Sequence, residues 1–391
     1  MYKYEVIIYW SQEDDCYIAE VPELPGCMSD GKTQMEALKN SQVVISEWIE
    51  TAKEMGREIP EPKGKRLYEV GIEGGRFSVK CKNGMDRYIP KESVDSIIIF
   101  GNVNLTVPCL RECMERGISV SLFSTTGRYF GRIESTSHIN ARRLRRQVHM
   151  SENEEDKLIF SKKIIENKIH NQRVLLTRYA RNSDSNISDQ VKAIKIHEKK
   201  IQQCSSIEQI MGYEGNASRQ YFSALSNMIA DEFKFKGRSK RPPKDPFNSM
   251  ISLGYTILLY EIMGEIENRG LSPYIGFMHK DAENHPTLAS DLLEEWRAVI
   301  VDATVMSLIQ GNEIQLEEFQ KDRDTGAVII GKKGINIFLK KLEKKLQSNM
   351  NYLEYLEHPV SFRRAIWWQV TKLIRCIDNG TFEEYQPIRI R

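Results

Sequence analysis

A mixed α+β protein in three parts is the fold class that the 391 residues predict, and three observations carry it. Residues 1–62 hold two β-type runs followed by one helix-type pattern. A Gly/Pro-rich stretch, GREIPEPKGK (56–65), then breaks the chain, after which β-type runs continue to about residue 140. From 141 onward the strand patterns stop and helical periodicity takes over. The expectation is a small α+β head (1–62), a β-rich middle (66–140) and an all-α C-terminal part (141–391). A chain of this length is too long for one typical domain, and 40% hydrophobic with 28% charged residues is a globular balance.

In the head, YEVIIYW and CYIAEV flank the polar SQEDD and predict a hairpin. PELPGC then turns the chain through two prolines and a glycine. From Thr33, Ala37, Val44, Ile45, Trp48 and Ile49 recur at helical spacing. In the middle part, SVDSIIIFG (93–101) reads as a buried strand, because four apolar residues run together before the glycine. VPCLRECMERGISV reads as a short helix closed by Gly117 and followed by a strand. SLFS, the turn TTGR and the segment YFGRIES complete this part. The C-terminal part contains seven long helical stretches, among them KLIFSKKIIENKIHNQRVLLTRYA, ASRQYFSALSNMIADEF and DLLEEWRAVIVDATVMSLI. The longest apolar stretch, 250–266, is interrupted by Glu261 and predicts a buried helix rather than a membrane span. With no signal-type N-terminus, the expected location is cytoplasmic, away from membranes.

The net charge of +2 conceals an asymmetry. Residues 1–62 carry 5 Lys+Arg against 13 Asp+Glu, a balance of −8, which leaves +10 for the remainder. An acidic head on a basic body predicts two modules with different partners. The seven cysteines show no CxxC spacing, so reduced, mostly buried thiols are expected.

Candidate chemistry concentrates in GFMHKDAENHPTLASDLLEEWR (276–297). On a helix over 288–300, Leu288, Leu292, Trp296 and Val299 form an apolar stripe. Asp291 and Glu295 fall on its shoulder, and Glu294 falls further toward solvent, where it can pair with Arg297 at i+3. The loop KDAENHPT can bring His279 back over the helix start. One histidine with two carboxylates would suit Mn²⁺ and tolerate Mg²⁺. An iron triad would need a second histidine, and His285 in the loop is the nearest. Upstream, Glu214 precedes the small residues Gly215, Asn216, Ala217 and Ser218 at what reads as a helix start, with Arg219 and Tyr221 following. The ordinary reading of these acids is helix capping and surface pairing, and the helical wheel does not choose between Glu294 and Glu295. FKFKGRSKRPPKDP (233–246) predicts an electropositive loop or a polar linker, stiffened by Pro242 and Pro243. ARRLRR (141–146) offers a second basic stretch, and the paired tryptophans of SFRRAIWWQ are expected in the core.

YEGNASRQYF, RSKRPPKDPFNSMISLGYTILL and GFMHKDAENHPTLASDLLEEWR, in this order and spacing, resemble the CRISPR-associated adaptation endonuclease/integrase family (Cas one). The resemblance spans roughly 66–391. It implies an N-terminal β domain, a helical catalytic domain and a homodimer. It also implies metal-dependent insertion of captured double-stranded DNA into a CRISPR array, together with a small companion adaptation protein (Cas two). Carried over by motif position, Glu214, His279 and Glu294 would be the ligands of Mn²⁺ or Mg²⁺, supported by Asp291. Arg219, Arg238, Lys240 and Arg241 would meet DNA phosphates. The head is similar to HicB-type antitoxin domains in its PELPGC turn, GKT segment and following helix, which implies a small toxin-like partner. A competing reading, from a different class, is a non-catalytic nucleic-acid-binding regulator of antitoxin type.

Overall fold

In the computed structural model, which describes residues 4–391 apart from 5, 13, 58, 61–67, 82–85, 126, 134, 136–138, 182–184 and 324, the chain divides into two units. One comprises Met1–Val94 with Asn102–Arg111, the other Asp95–Gly101 with Glu112–Arg391. Positions 58 and 61–65 of the expected linker, and 126 of the TTGR turn, lie outside the described residues.

The first unit begins with strands β1 (Ile7–Ser11), β2 (Cys16–Glu20) and β3 (Met28–Gly31), an antiparallel sheet in that order. The third strand was not legible as one, since MSDG carries no β-type pattern. The PELPGC turn is closed by Val21 and Cys27 pairing across it and by Gly26 at φ 78°. Helix α1 (Gln34–Glu54) starts where Thr33 accepts from Glu36 N, while the Glu36 carboxylate returns to Lys32 N. Ile45 and Ile49 pack with Val21, Leu24 and Cys27 in a small core. A separate sheet of the same unit runs β6–β5–β4–β8, from β4 (Tyr68–Glu73), β5 (Arg76–Cys81), β6 (Arg87–Pro90) and β8 (Val103–Leu105).

In the second unit, β7 (Ser96–Phe100) pairs in parallel with β9 (Ser119–Phe123), and β10 (Tyr129–Ile133) adds the other edge. Helix α2 (Val107–Arg116), whose residues 107–111 belong to the first unit, precedes β9, and Gly117 closes it at φ 68° as its position predicts. The helices then follow: α3 (Ala141–Glu152), α4 (Glu154–Ala180), α5 (Ser188–Lys200), α6 (Ile207–Asn227), α7 (Pro246–Glu267), α8 (Thr287–Trp296), α9 (Ala303–Gln310), α10 (Lys332–Gln347) and α11 (Phe362–Asn379). α4 lies against α5, α6 and α8, and α7 against α8, around one large apolar core. Among the described residues no helix is long and apolar enough to cross a membrane.

Three expectations change here. Helix α6 begins at Ile207, capped by Ser206, so Glu214 sits in its interior rather than at its start. The 288–300 helix is α-helical only to Trp296. Arg297–Asp302 widens into a π turn, which aims Asp302 at the hydroxyls of Tyr221 (2.8 Å) and Tyr255 (2.5 Å). In ARRLRR, Arg143 and Arg146 face inward, bracing α3 against Asp378 at the end of α11.

Candidate active site

Helix α4 supplies the centre of the site. Lys168, only 6% exposed, places its Nζ 2.5 Å from Glu214 Oε1 and 2.6 Å from Glu294 Oε2. The second carboxylate contradicts the sequence expectation. Helical periodicity alone places Glu294 toward solvent, yet it is 4% exposed, because α8 is packed on both α4 and α7. Its pairing with Arg297 (3.1 Å) does form, inside the protein. Burial alone would raise the Glu294 pKa, but Arg297, Lys168 and His279 together hold it down at about 2. Glu214 is only partly exposed, and Lys168 lowers its carboxyl against that burial; Ser218, one turn on, donates to it (2.7 Å).

His279 reaches this centre through Asp291. The Asp291 carboxylate, fully buried, accepts the backbone N–H groups of Phe277 (2.7 Å), Met278 (3.0 Å) and His279 (3.0 Å), and contacts His279 Nδ1 at 2.6 Å. Holding Nδ1 in this way turns Nε2 toward Glu294 Oε1, 3.9 Å away. Burial opposes charging of His279, but the Asp291 contact outweighs it and raises the pKa. Gly276 makes the approach possible: a β-carbon there would meet Asp291 Oδ2 at 2.7 Å and Thr287 at 2.9 Å. His285 packs edge-on against His279, ring centroids 6.3 Å apart, with its Nε2 engaged by Ser290 Oγ (3.3 Å).

Among the described residues, no three of His, Cys, Asp or Glu close into a ready-made metal cage. The reason is local, for an ammonium stands between two of the expected ligands. The donor set still fits a divalent cation. A positive charge already bridges Glu214 and Glu294, and the 3.9 Å gap from His279 to Glu294 is one that bonds of roughly 2.1 Å can span.

Beside this centre opens a cleft of about 500 Å³, lined by Lys168, Gln172, Glu214, Arg219, Arg238 and Lys240 among others. The four basic residues expected at phosphates are therefore not alike. Arg219 and Lys240 are exposed on the cleft wall, and Arg241 is exposed nearby in sequence. Arg238 is built in: it donates to Asn248 Oδ1 (2.8 Å) and Ser252 Oγ (3.1 Å) and lies over the Tyr255 ring. Lys168, Gln172 and Arg297 escaped the sequence reading. Lys168 lies in a lysine-rich helix, and no pattern marks one of its lysines as buried. Arg297, which closes the DLLEEWR motif, reads from the sequence only as a surface partner of Glu294.

A family model, CRISPR associated protein Cas1, matches residues 66–344. The CRISPR-associated endonuclease Cas1 of Mycobacterium tuberculosis is 36% identical over 311 residues, covering 80% of this chain and 91% of the relative. The chain belongs to the Cas1 family of CRISPR-associated endonucleases. CRISPR-associated endonuclease Cas1 3 of Thermus thermophilus is 30% identical over 326 residues, covering 82% of this chain and 93% of its own length. The Cas1 fold is shared with a Cas1 protein from Thermotoga maritima, with a TM-score of 0.68, 22% identity and coverage of 83% and 98%. A second family model, HicB_like antitoxin of bacterial toxin-antitoxin system, matches residues 4–69. This Cas1 chain thus carries an additional acidic module before the Cas1 region.

Proposed function

We propose that this Cas1 chain is a divalent-cation-dependent DNA endonuclease and integrase that inserts captured DNA fragments into a CRISPR array. The observation that carries this reading is the convergence of Glu214 from α6, His279 from the 276–279 segment and Glu294 from α8 on one buried point. Glu214, His279 and Glu294 would hold Mn²⁺ or Mg²⁺. A bound divalent cation supplies charge neutralisation at a phosphodiester and lowers the pKa of a coordinated nucleophile.

The chain's own residues do the rest. Asp291 fixes the His279 ring and keeps Nε2 facing the carboxylates. Arg297 holds the Glu294 carboxylate ionised. Arg219, Lys240 and Arg241 offer exposed cations to a DNA backbone, and Arg238 shapes the wall on which Lys240 stands. A 3′-hydroxyl attacking a phosphodiester in this cleft would form a new P–O bond as the old one breaks and releases a strand ending in a 3′-hydroxyl, which joins strands; water attacking the same phosphorus would instead cut the strand. The working assembly is read as a homodimer with the small companion adaptation protein (Cas2), and the acidic head is assigned a toxin-like partner of its own.

The deciding experiment incubates the full chain with branched DNA and Mn²⁺, with and without a chelator. Cation-dependent cleavage and joining are expected. Tight DNA binding with neither reaction would favour the non-catalytic regulator instead.

A further inference from the structure

The Lys168 ammonium occupies the place where the buried Glu294 carboxylate meets the partly exposed Glu214 carboxylate, and this has consequences for how a cation enters. Without Lys168, Glu214 and Glu294 would face each other with little water to separate their charges. Lys168 therefore keeps both in position in the absence of any ion. Together with Arg297 it balances them, two positive charges against two negative ones. A divalent cation at the same oxygens would leave an excess of positive charge and repel Nζ. Lysine can respond, because its head sits on a flexible four-carbon stem. The open direction is the cleft that Lys168 lines with Gln172, Arg219 and Lys240. That cleft is cationic already, so an additional ammonium rests there only when an anion arrives with it.

We propose that Lys168 is a tethered counter-cation that exchanges with the divalent ion, moving its ammonium from Glu214 and Glu294 to a DNA phosphate in the adjoining cleft. The inference rests on the metal reading above and adds a coupling to it. Cation and DNA strengthen each other's binding through one side chain, and the effect is reciprocal by linkage. Lys168 is in these terms a positioning residue before DNA binds and a phosphate contact afterwards.

The test is calorimetric titration of Mn²⁺ into the full chain, alone and with a phosphorothioate-linked duplex. Wild type is compared with Lys168→Met and Lys168→Arg, and folding of each is checked by circular dichroism. In wild type the duplex tightens Mn²⁺ binding about five-fold or more. Lys168→Met binds Mn²⁺ several-fold more tightly than wild type without DNA, and the tightening by DNA falls toward one. Lys168→Arg, whose planar fork can clamp both carboxylates, binds Mn²⁺ more weakly than wild type and keeps the proposal testable if the methionine variant does not fold. If wild type binds Mn²⁺ while Lys168→Met binds it no tighter, or the DNA effect survives in that variant, the exchange is wrong and the metal site stands. If wild type takes up no Mn²⁺ at all, the metal reading falls and the exchange with it.

Discussion

Helix α8 has two charged sides, and they differ in a way that burial does not explain. Glu294 and Glu295 are adjacent in sequence and both buried, at 4% and 0% exposure. Around Glu294 stand Lys168, Arg297 and His279, and its carboxyl is held at about 2. Around Glu295 stand neutral donors: Tyr385 Oη (2.7 Å), Gln369 Nε2 (2.8 Å) and Ile388 N (2.9 Å). Burial there wins over these hydrogen bonds and pushes the carboxyl up to about 7. The charge of the surroundings, rather than their dryness, separates the ionised Glu294 from its neutral-surrounded neighbour Glu295. Glu295 is a fastener. It joins α8 to the 385–390 segment, whose Ile388 carbonyl also accepts from Asn171 of α4 (2.9 Å).

The sharpest way to break this comparison is to neutralise each acid in turn. Glu294→Gln, like Glu214→Gln, should reduce cation-dependent DNA cleavage and joining roughly 10³-fold, the scale of losing a principal electrostatic group. Glu295→Gln should stay within a few-fold of wild type in the same assay. Asp291→Asn belongs with the first group but at about 10–100-fold, since it acts through His279. Equal losses for Glu294→Gln and Glu295→Gln would erase the distinction between the two sides.

Stability against pH gives a second, smaller contrast. Glu295 is raised when folded, so its contribution is complete below the ordinary carboxyl value of 4.5 and is lost as pH rises through about 7. Glu294 is lowered, so its contribution is present above 4.5 and is lost as pH falls through about 2. Denaturant titrations should therefore show that Glu295→Gln removes a downward slope between pH 4.5 and 7, of at most about 1.4 kcal/mol per pH unit. An unchanged slope in that window would show that burial does not raise the Glu295 carboxyl.

The smallest effect is expected on the cleft wall. Lys240→Glu and Arg241→Glu should each flatten the dependence of log K for DNA on log salt by about 0.9 per lost phosphate contact. Arg238→Glu should instead lower the melting temperature, because Asn248 and Ser252 lose their internal partner. A salt slope that responds only to Arg238 would reverse this assignment.

Much of the architecture was legible because local chemistry writes it. The helical pattern from Thr33, the closing Gly117, the PELPGC turn and the apolar run of α7 each act within a few residues of themselves. Strand β3 escaped because MSDG is a strand by virtue of its neighbour β2, not of its own pattern. The site was legible in part. Three motifs pointed to Glu214, His279 and Glu294, yet Glu294 was expected in solvent and Glu214 at a helix start.

Read alone, the sequence shows roughly where most helices lie and which short segments carry acids, a histidine and cations, although α6 starts at Ile207, well ahead of Glu214. Tertiary packing adds that Lys168 stands between two of those acids, that Asp291 holds the His279 ring, and that Arg238 is hydrogen-bonded into the cleft wall while Lys240 is exposed on it. The reason is physical. Helical periodicity fixes the face on which a side chain emerges, but its ionisation depends on charges brought from 46 or 126 residues away, as α4 brings Lys168 to Glu214 and Glu294.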